Sequence, residues 1–422
     1  MGRRIIDIRF GRARSHLFVL TLLAMLSACT TQPETNANLS NANAPANTNA
    51  AANTNADTGD NEASPYGDDS TLSPDQLESD RMNAGWKKYA EVQQPAQPPN
   101  PELKNEKWDQ ISADGVNHKP KLPIAGDVAG NSVLNVQILL DRAEFSPGQI
   151  DGKWGKNTES AVYWFQSREG LPKTAQVDEQ TYARLSEIAG TGGPVVADVT
   201  LAADDVKGPF VTIPSNIYEK AKLDCMCYES LLEKLSERFH TSPEVLQKLN
   251  PGVRFGDLKE GDKVTGPAVR PGDRTPAGDI ARVIVSDGGH YVHPVDEGGR
   301  VLAHYAATLG SDYNPSPTGE YAVKSITEDP WWHYQPELLG EGKGASARIP
   351  PGPNNAVGDI WIALTKPHFG IHGTSSPQTI GYATSHGCIR LTNWDATELG
   401  RWVKKGTPVS FVDVSSDRKG EQ

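Results

Sequence analysis

Apolar side chains are almost absent between Thr30 and about Asp69, recur three and four residues apart from Asn131 to Ile188, and after Gly278 gather into short runs bounded by Gly, Pro and Asp. The first texture, as in NANLSNANAPANTNAAANTNADTGDNEA, cannot bury enough surface to offset the entropy of ordering. It predicts a flexible tether over residues 29–125, rich in Asn, Ala and Thr and then in Pro, with one short helix in SPDQLESDRMNAGWKKYAEV. In the second, Val133, Leu134, Val136, Leu139 and Leu140, then Thr158, Ala161, Val162, Trp164 and Phe165, then Tyr182, Leu185 and Ile188 predict three short helices within residues 126–190. Asp151-Gly152 and Gly155 turn the chain between the first two, and Asn157 or Thr158 is placed to cap the second.

Within residues 209–269, YESLLEKLSERFHTSPEVLQKLNPGVRF reads as two amphipathic helices, the second begun by Thr241-Ser242-Pro243 and ended by Asn250-Pro251-Gly252. GDLKEGDKVTGPAV supplies a short strand after them, with no convincing strand before. From residue 278 to 414 the runs IARVIVS, RVLAHYAATLG, GEYAVKSI, DIWIALT and PVSFVD predict strands. One helix, about Asn393 to Lys405, is capped by Thr392 or Asn393 and closed by Gly406. Residues 328–357 are too long and too rich in Gly and Pro for a turn, which points to a functional lid. The sum is a multidomain α+β chain, and a length of 422 residues agrees with two or three cores.

Residues 1–28 belong to none of them. Arg3, Arg4, Arg9, Arg12 and Arg14 precede LFVLTLLAML, an apolar run too short to span a bilayer, so this segment reads as an export signal. Its loss removes five arginines and one aspartate, taking the net charge from −12 to −16, and no basic footprint for nucleic acid remains. Leu26-Ser27-Ala28-Cys29 resembles the lipobox of bacterial lipoproteins. That resemblance implies a lipidated Cys29 and an exported chain anchored to, but not spanning, a membrane, and Thr30 in place of Asp favours the outer membrane of a periplasm-bearing envelope. In an oxidising compartment a lone thiol such as Cys388 is conspicuous. Cys225 and Cys227 sit too close in sequence for an unstrained bridge, which leaves a free pair or a bridge to another chain open.

Cys388 lies in SHGCIRL, after His368, His372 and His386. The spacing of His368 and His372 suits two zinc ligands on a helix, but Pro367, Phe369, Gly370 and Ile371 favour a strand, where four residues span ~13 Å. No acidic or second thiol ligand stands near, so neither metal nor cofactor is expected. A nucleophilic thiol needs a base. His386, two residues away on an extended segment, would share a face with Cys388, whereas His372 would need a hairpin to reach it; spacing alone does not choose.

DGKWGKNTESAVYWFQ resembles the core motif of the peptidoglycan-binding three-helix domain, and residues 209–269 resemble a degenerate glycan-binding LysM module. FGIHGT followed by SHGCIRL, with His372 fourteen positions before His386, resembles the signature of YkuD-type L,D-transpeptidases, a likeness that extends over residues 278–413. It implies a mainly β sandwich-like catalytic domain. It further implies Cys388 as nucleophile, His372 as base, the Gly373 carbonyl as the group that orients the imidazole, and His386, Gly387 and Cys388 as the oxyanion-hole turn. Arg390 would hold the loop or meet a substrate carboxylate, with a salt-bridged structural role as the alternative, and Trp331, Trp332 and Tyr334 would cover the donor stem. The implied reaction is acyl transfer on peptidoglycan stem peptides through a Cys thioester. A hydrolase of the same fold and a non-catalytic wall-binding lipoprotein are the alternatives, and nothing in the residues separates an amine from water as acceptor.

Overall fold

The structure, a computed structural model, describes residues 97–190, 193–270, 272–311, 314–339 and 343–413. The expected signal segment, Cys29 and most of the tether lie outside the described residues. The strands are β1 (Phe145–Ser146), β2 (Val196–Thr200), β3 (Lys263–Pro267), β4 (Arg282–Ser286), β5 (Tyr291–Val295), β6 (His304–Ala306), β7 (Gly319–Glu328), β8 (Trp332–Tyr334), β9 (Ala347–Ile349), β10 (Ile360–Leu364), β11 (Gly370–His372), β12 (Ile389–Arg390) and β13 (Pro408–Val412).

The three expected helices form at Asn131–Arg142, Lys156–Arg168 and Glu179–Ala189. Asp178 caps the third by accepting from Thr181 N at 2.8 Å. The second has Gly155 at its start with no side-chain cap. Asn157 and Thr158 are engaged elsewhere: Asn157 Nδ2 donates to Ile380 O at 2.9 Å and Thr158 Oγ1 accepts from Gln137 Nε2 at 3.2 Å. The expected tether ends earlier than residue 125. Leu103 on a 3-10 turn, Ile111 just after a second, Val116 on a short helix and Ile124 at a bridge to Val177 are at most 4% exposed within the helical core. Scattered singly through Pro-rich text, they gave no period to read, yet each such burial contributes about 1.5–3 kcal/mol.

The helical region is continuous with the large sheet. Its β1 runs parallel to β6, and its core takes in Ile284, Tyr291, Val295, Val301 and Val412. Downstream, β2 pairs antiparallel with β3 around helices Leu231–Arg238 and Pro243–Leu249, a β-α-α-β unit with its own core of Leu201, Leu231, Leu235, Phe239, Leu246, Phe255 and Val264. Its first strand, at Val196–Thr200, lies ahead of the expected boundary at 209 because residues 207–229 intervene. In that insertion Cys225 and Cys227 are bridged to each other, not free and not bridged to another chain, with Cα atoms 5.2 Å apart, within normal disulfide reach.

Residues 278 onward, with β1 of the helical region at one edge, form a sheet of order β1-β6-β5-β4-β13-β7-β10-β11-β12. It curls until β12 meets the chain just beyond β6, with bridges Thr308–Arg390 and Gly310–Ser385. Inside lie Val283, Val285, Val292, Tyr305, Val323, Ile362, Ile371, Ile389 and Leu399. β5 is absent from the sequence expectation, since Pro294 argues against a central strand. The helix Asn393–Trp402 is capped by Thr392, which accepts from Asp395 N, and Gly406 lies four residues past its end at φ 91°. Among the described residues no helix is long and apolar enough to cross a membrane.

Arg270, 3% exposed, joins these parts. It reaches Asp141 on helix Asn131–Arg142, and Asp395 and Glu398 on the helix after SHGCIRL, the last at 2.9 Å.

Candidate active site

β11 sits between β10 and β12, with Trp361 opposite His372, Ile371 opposite Ile389 and His372 opposite Arg390. Strand alternation then sorts the side chains. Ile371 and Ile389, both at most 1% exposed, face the core, so His372 and Arg390 share the other face. Cys388 immediately precedes β12, and its thiol meets the backbone of Gly370, two residues before His372 on β11.

His372 is 4% exposed, and its Nδ1 lies 2.7 Å from Gly373 O. A carbonyl only accepts, so Nδ1 carries the proton and Nε2 presents a lone pair. The Trp361 ring stacks on the imidazole at 5.3 Å and 24°. Burial first, and the Arg390 charge second, hold the imidazole pKa down at about 3 against the pull of the Gly373 bond. Cys388 has intermediate exposure, and its Sγ–H points to His368 O at 3.6 Å. Burial raises its pKa, partly opposed by a Gly370 backbone hydrogen bond and by Arg390. The resting pair is therefore a thiol and a neutral imidazole.

The turn before Cys388 departs from the extended expectation. Gly387 adopts φ 106°, and a Cβ there would stand 2.8 Å from a Phe369 ring carbon, so glycine is required. That turn breaks the alternation that would have put His386 on the face of Cys388, and His386 is exposed. Gly387 N already donates to Ser385 Oγ at 3.0 Å, so it is not available to an oxyanion. Ser385 Oγ in turn donates to Cys388 O, and Ser316 Oγ donates to Gly387 O at 3.1 Å. Neither serine was singled out from the sequence, although Ser385 stands inside the motif.

Arg390 is half-buried and makes no carboxylate ion pair among the described residues. The expected lid carries a hairpin, β8 against β9. Trp331 is 44% exposed with the Arg348 guanidinium 4.1 Å from its ring centre. Trp332 meets Tyr334 edge-on at 5.6 Å, and Tyr334 meets Tyr218 of the insertion at 6.3 Å. Neither Trp331 nor Trp332 makes a ring contact with His372.

Asn393, also unpredicted beyond a capping role, accepts from Thr374 N at 2.9 Å and so braces the turn that carries Gly373 O. On the other flank, Asn157 of the helical region holds Ile380 O in the loop leading to SHGCIRL.

The YkuD family model, an L,D-transpeptidase catalytic domain, matches residues 280–410, and a putative peptidoglycan binding domain model matches residues 129–185. The chain is similar to the putative L,D-transpeptidase YkuD of Bacillus licheniformis, 31% identical over 181 residues, covering 43% of this chain and 93% of that protein. The protein of that name in Bacillus subtilis is 31% identical over 180 residues, covering 43% of this chain and 92% of its own length. A solved L,D-transpeptidase from Xylanimonas cellulosilytica aligns over 70% of this chain and 98% of its own at 18% identity, with a TM-score of 0.30.

Proposed function

Because the chain belongs to the YkuD family of L,D-transpeptidases, with peptidoglycan as the implied substrate, we propose that Cys388 is its acyl-accepting nucleophile and His372 the base. The observation that carries this reading is the His372 Nδ1 to Gly373 O bond, which leaves Nε2 as the unprotonated nitrogen, two residues along β11 from the Gly370 backbone that meets the Cys388 thiol. Nε2 takes the thiol proton as sulfur attacks the carbonyl of the L,D bond in a tetrapeptide stem. The C–N bond breaks, the proton passes to the departing D-Ala amine, and an acceptor amine then resolves the thioester and frees the thiol. The N–H groups of His386 and Cys388, not that of Gly387, serve the developing oxyanion. Arg390, without a carboxylate of its own, receives a substrate carboxylate, and the lid aromatics cover the donor stem.

Around this centre, residues 97–190 and the β-α-α-β unit, read as a LysM-like module, hold glycan and raise the local substrate concentration. A lipidated Cys29 at the outer membrane places both at the wall.

The test is intact-protein mass spectrometry of the Cys388 adduct with a carbapenem, with Cys388→Ala as blank. His372→Ala should lose acylation by several orders of magnitude and His386→Ala by far less. The reverse ranking would overturn the base assignment. Muropeptide analysis of digested sacculi distinguishes cross-linked products from trimmed stems and so separates transfer from hydrolysis.

A further inference from the structure

Glu237 lies on helix Leu231–Arg238 of the β-α-α-β unit, outside the catalytic sheet and 156 residues before Asn393. Its carboxyl oxygens accept from Asn393 Nδ2 at 3.1 Å and 3.3 Å, and one of them accepts from Tyr228 Oη at 3.2 Å. Asn393 is 2% exposed, and its amide nitrogen also donates to Pro353 O at 3.2 Å, so the amide orientation is set by two acceptors. With the nitrogen so held, Oδ1 faces the chain after the base and accepts Thr374 N. The fit is close: a Cβ on Gly373 would stand 2.1 Å from Asn393 Oδ1, and one on Gly358 2.0 Å from it. A line of direct contacts thus runs from the accessory module to the carbonyl that orients the imidazole.

We propose that Glu237 is a positioning residue for His372: through Asn393 it holds the Gly373–Thr374 turn, so the accessory module completes the catalytic site as well as binding wall. The inference rests on the reading of His372 as the base. It makes the module's docking part of catalysis, since without an acceptor at position 237 the Asn393 amide loses a partner that fixes its rotation, and the Gly373 carbonyl loses its brace.

The experiment uses the mature chain with Glu237→Leu, which keeps bulk but cannot accept, and Glu237→Gln, which keeps an acceptor oxygen. Two rates are read on each: carbapenem acylation of Cys388, which needs the base, and iodoacetamide alkylation at high pH, where the thiolate forms without one. Glu237→Leu should acylate about tenfold more slowly, the scale of coupling expected of a contacting pair, with alkylation and sacculus binding unchanged and Glu237→Gln close to wild type. Should the Leu variant not fold, Glu237→Ala carries the same expectation. Wild-type acylation in the folded Leu or Ala variant overturns the proposal, as does an equal fall in both rates, which marks a general loosening of the site. If His372→Ala itself acylates normally, the base reading fails and the proposal falls with it; if only Glu237 proves silent, the base reading stands.

Discussion

His372 donates its Nδ1 proton to the carbonyl oxygen of its neighbour Gly373 at 2.7 Å, so the group that orients the imidazole is the main chain rather than a carboxylate. A carboxylate in that place would favour imidazolium; a neutral carbonyl in a buried site does so much less, and burial keeps the ring neutral to about pH 3.

The first consequence concerns the pH dependence of the thiol. Because burial raises the Cys388 pKa above its usual 9.0, iodoacetamide alkylation of the free protein should still climb as pH passes 9. A plateau already reached between pH 6 and 7 would indicate a resting thiolate–imidazolium pair and contradict the thiol–imidazole state.

Replacing Arg270 by Ala strands Asp141, Asp395 and Glu398 in the interior without their shared cation. The expected loss is about 3–5 kcal/mol in urea unfolding at pH 7. The sign with pH follows from Asp141, whose pKa is about 2 in the folded chain, against the burial that opposes it, because Arg270 and His240 favour the carboxylate. Its contribution is present above the unfolded value of about 3.8 and fades as pH falls toward 2, so the gap between wild type and variant should narrow in acid. A gap that stays constant from pH 7 to pH 3 would contradict the charge argument.

Gly387→Ala forces a side chain into a left-handed backbone and against Phe369. We expect a stability loss of about 1–3 kcal/mol and, because Cys388 follows directly, a fall in carbapenem acylation larger than the fall in stability accounts for. Thermal unfolding and acylation measured together decide it; an unaltered acylation rate would show that the turn does not set the thiol's position.

A fragment beginning at residue 131 lacks Leu103, Ile111, Val116 and Ile124, all buried in the helical core. At about 1.5–3 kcal/mol per side chain, their absence exceeds the margin of a domain this small. Circular dichroism should show residues 97–190 distinctly more helical and more cooperative on melting than residues 131–188, and equal spectra would refute the revised boundary.

Local pattern made much of this protein readable. The spacing of Val133, Leu134, Val136 and Leu140 predicts a helix because one face of a helix returns every three to four residues, and the observed helix Asn131–Arg142 buries those positions. The runs around Val283, Ile362 and Phe411 predict strands for the same local reason. FGIHGT and SHGCIRL are likewise contiguous stretches, so the candidate thiol and both candidate bases could be named from them. Where the pattern carried a local contradiction, reading failed: Pro294 hid β5, and the first strand of the β-α-α-β unit stood apart from its helices behind a disulfide-bearing insertion. What only the tertiary structure decided is which distant groups meet. Strand alternation holds for any pair of strands, but the pairing of β11 with β12 is set by the curl of the whole sheet, and that pairing sets His372 on the strand next to the one that Cys388 leads into. Glu237 and Asn393, Arg270 and Asp141, and Asn157 and Ile380 are joined across long stretches of chain by packing of separate cores, whose closeness no spacing in the sequence encodes.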